Sequence, residues 1–243
     1  MVKCKLADLN IRFDTEYEER IASLLCNYTE EFFQADIDFE VTKSQIEFEK
    51  KQFEGESKFL SDRLYCETAI LRKIGEKLPD FDGAVLHSAT FAVDGEGVAF
   101  GALSGTGKST HMFKWRDMLG EQFQIINGDK PFVRFVNNEL YTYGNPWAGK
   151  EGFQSNIKVP LKHVCQIVRS EINHTEPMSK QEGINLLLNQ IYMPLDPMAR
   201  IKTLQLINRI ADSVTFWKIS CNMDEDAAKT SYEAIFGGAY EKT

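Results

Sequence analysis

The stretch Gly101–Trp115, GALSGTGKSTHMFKW, limits what this chain can fold into more than any other. An apolar run, Val98 to Leu103, leads into it. Met112, Trp115 and Leu119 after it share one helical face, closed by Gly120. A strand that turns through glycines into a helix is the setting in which a phosphate-gripping loop works. Gly105 and Gly107 let the backbone curl so that successive amides point inward at phosphate oxygens. The helix beginning near Lys108 adds its positive end, and Lys108 adds a mobile ammonium. Ser109 offers a hydroxyl to Mg2+, a hard cation that prefers oxygen. The expected nucleotide contacts are Ser104, Gly105, Thr106, Gly107, Lys108, Ser109 and Thr110. The first position of the motif is Ala102 instead of glycine, and a methyl fits there if φ stays negative.

Strands and helices alternate around this loop. Between Cys4 and Phe13 the apolar alternation changes phase near Ala7, which predicts a turn or bulge between two strands. IDFEV (Ile37, Phe39, Val41) and QIEFEK (Ile46, Phe48) alternate with charged residues and read as further strands of an antiparallel sheet with one wet face. Leu60, Leu64, Leu71, Ile74 and Leu78 form a helical stripe ended by Pro79. Two β-rich runs flank the turn DGEG. Further strands are expected at 124–126, 131–135, 140–143, 164–168 and in VTFWKIS, and helices near 183–192, 199–212 and 226–236. The fold class is therefore α/β, with a small N-terminal β-rich lobe plus helix over residues 1–80, docked on a nucleotide-binding core over 81–243.

The net charge of −8 argues against a broad nucleic-acid or anionic-membrane surface, though not against one polyanion in a local pocket. The opening residues lack an apolar h-region, and no apolar run is long enough to span a bilayer. Five scattered cysteines without a CxxC pair give no zinc or disulfide framework, and the expected compartment is the cytoplasm.

Other residues carry two readings each. Asp129, at the tip of the run FQIIN, is either a metal-side carboxylate or an Asx-type turn before Pro131. His87 is either near a reacting phosphate or a satisfied core histidine. In YGNPWAGKEG, Trp147 and Lys150 either close over a substrate or belong to a wide turn with a half-buried indole. Arg116, Arg134, Arg200 and Arg209 are candidate charge stabilisers that the sequence does not rank, and His163 and His174 read as structural or exposed.

SGTGKST after a short β-run, followed closely by IINGDKPFVRF, resembles the HPr kinase/phosphorylase and ATP-dependent phosphoenolpyruvate carboxykinase superfamily. The resemblance covers about Ala84 to Phe236 and implies a P-loop core of that type. It implies ATP and Mg2+ as cofactors, with Lys108 and Ser109 as the loop lysine and metal-binding hydroxyl. Asp129 would match the second acid of an Asp-Asp pair near the metal, and His87 the histidine near the transferred phosphate; Asp129, His87 and Lys108 form the implied catalytic set. The implied reaction moves the γ-phosphoryl to a hydroxyl, on a serine of a small protein or peptide or on a small molecule. An oligomer is compatible with this reading. The first acid of the pair is Gly128 here, and no EIRG-type segment is found. A nucleotide-binding regulatory module with little or no catalysis is therefore the alternative. Carboxykinase chemistry is not expected in a chain this short.

Overall fold

Ala7 and Asp8, both with positive φ, form a two-residue turn between strand β1 (Val2–Leu6) and strand β2 (Leu9–Thr15). Such turns match the right-handed twist of a hairpin, which accounts for the phase change in the sequence. Residues 1–52, 61–102, 105–238 and 240 are described by this computed structural model. Strand β3 (Ile37–Val41) joins the other edge of β2 in parallel, with Ile37 opposite Ile11. The antiparallel expectation fails for this pair, because the segment between β2 and β3, with helix α1 (Glu18–Leu24), makes a crossover instead of a hairpin.

QIEFEK is not a strand. It lies within helix α2 (Lys43–Gln52), which packs on helix α3 (Asp62–Lys77). The inward face of α2 carries Ile46 and Glu49, one turn apart. Glu49 is 1% exposed and takes both Nε and Nη2 of Arg72 from α3. A carboxylate can occupy a core position when a guanidinium meets it with two hydrogen bonds. The buried face of α3 is Tyr65, Cys66, Ala69, Ile70 and Ile74, so Leu64 of the expected stripe faces outward, and Leu60 lies outside the described residues.

The other sheet has nine strands among the described residues. Strand β4 (Gly83–Val85), strand β8 (Phe132–Val136) and strand β9 (Glu139–Tyr143) lead to strand β10 (Lys158–Arg169). Beyond β10 lie strand β6 (Glu96–Gly101), strand β5 (Ala89–Val93) and strand β7 (Phe123–Asn127). Strand β12 (Thr215–Cys221) also pairs with β10, and strand β11 (His174–Pro177) pairs with β12. The neighbours β6, β10 and β12 are mutually parallel, and the other pairs are antiparallel, giving a curled mixed sheet.

Alternation along the parallel strands sends successive side chains to opposite faces. On one face, Phe100, Ile167 and Ile219 pack with Trp115 of helix α4 (Lys108–Leu119) and Ile235 of helix α7 (Asp226–Phe236). On the other, Ala99, Val164 and Phe216 pack with Leu187 of helix α5 (Lys180–Gln190) and Ile207 of helix α6 (Pro197–Ala211). A third cluster joins β1, β2 and α3 to Phe132, Tyr143 and Trp147, so one continuous apolar core links the N-terminal elements to the large sheet. No helix among the described residues is long and apolar enough to cross a membrane.

Candidate functional site

The C-terminal ends of parallel strands in an α/β sheet are where ligands usually settle. Here β6 ends at Gly101, β10 at Arg169 and β12 at Cys221. After Ala102 the chain turns through Gly105 (φ 76°) and Gly107 (φ 117°), and α4 starts at Lys108 with Gly107 as its N-cap. Added Cβ atoms at Gly105 and Gly107 would meet nothing, so it is the left-handed backbone that calls for glycine there. Ala102 is 4% exposed and packs in the core under α4, and its methyl is accommodated. Ser104 lies outside the described residues.

Lys108 Nζ donates to the carbonyl of Ala102 at 3.4 Å. Burial pulls the ammonium pKa below its ordinary value; the nearby charge of Asp129 raises it in part, and that of Lys130 lowers it further. Lys108 and Asp129 therefore lie within electrostatic reach of each other. Ser109 and Thr110 follow in the first turn of α4, Ser109 partly exposed and Thr110 exposed.

Asp129 sits in the turn after β7. Asn127 Oδ1 accepts from the amides of Asp129 (2.9 Å) and Lys130 (2.7 Å), so the Asx turn here belongs to Asn127. That leaves the Asp129 carboxylate to meet His87 Nε2 at 3.3 Å and Lys130 Nζ. Burial opposes its ionisation, yet the hydrogen bonds from His87 and Lys130 outweigh this and carry the carboxyl down to about 2. His87 is fixed through its main chain, since its amide donates to Gln190 O at 2.7 Å.

Trp147 is 9% exposed, packs beside Phe132 and donates its indole N–H to Glu67 O at 3.0 Å. Lys150 is exposed at the tip of the same loop. The loop's floor is tied down by Asn145, whose Nδ2 donates to Lys130 O at 2.6 Å.

The four arginines singled out in the sequence bond elsewhere. Arg134 donates to Phe81 O and Ala7 O, Arg200 to Pro194 O, and Arg116 and Arg209 to Asp117 and Asp82. The arginine that reaches the loop is Arg169, which donates to Thr106 O at 3.2 Å and to Gly105 O. Its only sequence signal was a place just past a predicted strand.

A cavity of about 500 Å3 opens beside the loop, within the usual range for small-ligand sites. Gly105, Thr110, Lys114, Arg169 and Asn222 line it. His111 lines it as well, with Nε2 3.0 Å from Ser231 Oγ and a buried Nδ1 that meets no partner among the described residues. Burial, and then the charge of Lys114, push its pKa down to about 4, so the ring is neutral at physiological pH.

No group of three or more His, Cys, Asp or Glu among the described residues is placed to hold a metal. Ser109, in the first turn of α4, and Asp129, after β7, carry the oxygen donors singled out in the sequence for a cation.

No family model matches the chain, and no curated protein matches it. Among solved structures it is similar to the Hpr(Ser) kinase/phosphatase from Coxiella burnetii, at 16% identity over 52% of this chain and 90% of that chain, with a TM-score of 0.30. So weak a likeness assigns no activity. What the fold itself defines is a mixed α/β protein carrying a glycine-rich strand–loop–helix at the edge of its parallel strands.

Proposed function

We propose that the protein is an ATP- and Mg2+-dependent phosphotransferase that moves the γ-phosphoryl group to a hydroxyl. The observation that carries this reading is the loop: two glycines in left-handed backbone open α4 at the C-terminal end of a parallel strand, with Lys108 in the field of Asp129. Main-chain amides and Lys108 hold the phosphates. The nucleoside lies in the cavity beside Arg169, against Thr110, Lys114 and Asn222. Ser109 and Asp129 hold Mg2+, which, when bound, neutralises charge on the outer phosphates.

Asp129 stays ionised through the physiological range, so it suits cation binding better than proton abstraction. That is compatible with phosphoryl transfer through a loose transition state, in which the acceptor needs little deprotonation. Positioning and charge neutralisation then supply most of the rate.

The same weak basicity, together with Gly128 in place of an acid, supports the second reading, a nucleotide-dependent regulatory module with little turnover. Calorimetry with MgATP and an assay of ADP release separate the two. The phosphotransferase reading expects both binding and acceptor-dependent ADP. The module expects binding alone. Absence of any heat at millimolar MgATP removes both.

A further inference from the structure

A second cleft of about 330 Å3 lies between α3 and the C-terminal end of α5, on the His87 side of Asp129. Leu71, Val85 and Ile191 give it an apolar wall. Asn189, Gln190 and Tyr192 give it a polar one. His87 and Lys130, the two partners of Asp129, stand at its margin.

The charges around this cleft are already engaged. Arg72 lines it, but its guanidinium is held by the buried Glu49. Lys130 and His87 both contact Asp129. An anionic ligand at Arg72 would have to pull the guanidinium from Glu49, which leaves a buried carboxylate unpaired. The neutral hydrogen-bonding groups are differently disposed. Gln190 is 6% exposed and its Oε1 lacks a partner among the described residues. A buried amide oxygen left in that state costs free energy, which a ligand O–H recovers if the Gln190 side chain turns toward the cleft. Tyr192 donates its phenol to Glu76 at 2.6 Å and accepts from Arg72 Nη1 at 3.5 Å, so toward a ligand its oxygen offers only its remaining lone pair.

We propose that this cleft binds the phosphoryl acceptor, and that the acceptor is a small, uncharged molecule with several hydroxyls and one apolar face. The inference rests on the phosphotransferase reading and adds the substrate class to it. It also gives α3 a task, since the N-terminal elements supply Thr68, Leu71 and Arg72 to the acceptor side. In the reaction, an acceptor oxygen forms a bond to the γ-phosphorus and the bond from that phosphorus to the β,γ-bridging oxygen breaks. The departing ADP keeps the electron pair, and the hydroxyl proton is released to water.

The test uses the whole protein with MgATP and measures ADP release and phosphorylated product. The probes are glycerol, D-glucose and myo-inositol as uncharged polyols, D-glycerate as an anionic one, and an end-blocked serine peptide. At least one uncharged polyol should raise ADP release and appear phosphorylated. Asn189→Trp, at an exposed position on the rim, should raise its KM about tenfold or more while the MgATP-induced melting shift stays as in the wild type. Stimulation by glycerate or the peptide alone, by none of the five, or an unchanged KM in Asn189→Trp overturns the inference. Loss of the melting shift in the wild type instead overturns the phosphotransferase reading beneath it.

Discussion

A Cβ atom built on Gly149 would lie 2.9 Å from the Cβ of Asp129 and 3.3 Å from its Cγ. Gly149 also has φ of 75°, a backbone that L side chains rarely adopt. The loop that carries Trp147 thus rests directly on the carboxylate and limits where it can point. Gly149→Ala should cost about 1–2 kcal/mol from the left-handed backbone alone. It should also displace Asp129, lowering kcat more than it raises KM for MgATP. Urea unfolding and steady-state kinetics of the variant check both. Equal kinetics in variant and wild type would show that the position of Asp129 is immaterial to turnover.

Among the described residues Lys108 makes one long hydrogen bond, to Ala102 O, and its burial is already unfavourable to its charge. Lys108→Ala should therefore change the stability of the free protein by no more than about 0.5 kcal/mol. The rise in melting temperature produced by millimolar MgATP should largely disappear, because that rise reports binding to the folded state. Scanning fluorimetry with and without MgATP reads both quantities. A melting shift of wild-type size in the variant would refute phosphate binding by this loop.

Gly128 cannot accept a side chain freely. Its Cβ would stand 3.2 Å from Ala148 O and 3.5 Å from Phe153 O, and its amide already donates to Phe153 O at 2.9 Å. Gly128→Asp should push on this loop and destabilise the protein by about 1–3 kcal/mol, the usual range for overpacking. A second carboxylate beside Asp129 would also raise the proton affinity of both. The phosphotransferase reading expects ADP release within a few-fold of wild type. A gain of tenfold or more would favour the regulatory module, whose missing acid had been returned.

The strand–loop–helix around Lys108 was legible because each part has a local signature: an apolar run through β6, glycines at the left-handed positions, and a helical stripe ending at Gly120. The hairpin at Asp94 and Gly95, both with positive φ, was legible for the same reason. What escaped depends on partners distant in sequence. Helix α2 was hidden because its inner face includes Glu49, whose neutralising Arg72 comes from another helix. Small residues such as Cys66 and Ala69 form much of the buried face of α3, while the conspicuous Leu64 points outward. Arg169 reaches the loop because Gln166 is level with Gly101 in the parallel register, which carries the next residues of β10 past the end of β6. No local pattern encodes that register. Asn127 likewise builds the turn that had been considered for Asp129, a choice made by side-chain geometry.

His111 supplies a test that needs no ligand. Its ring is enclosed by Phe100, Trp115 and Ser231, and burial, with the charge of Lys114 added, lowers its pKa from 6.5 to about 4. The unfolded chain takes up this proton as pH falls through 6.5, whereas the folded protein resists until about 4. Its contribution to stability is thus complete above the unfolded value and declines as pH drops across that window. The limiting slope is about 1.4 kcal/mol per pH unit. His163, also lowered by burial, adds a slope of the same sign, so the comparison must be between wild type and a variant. His111→Gln should lose the part of the slope that belongs to this ring. Urea unfolding at about pH 7.5 and about pH 5 should therefore show a smaller pH-dependent loss in the variant than in the wild type. Equal losses in the two proteins would mean that the ring is protonated in the folded state near pH 6.5, and the neutral histidine assigned to the cavity wall would have to be abandoned.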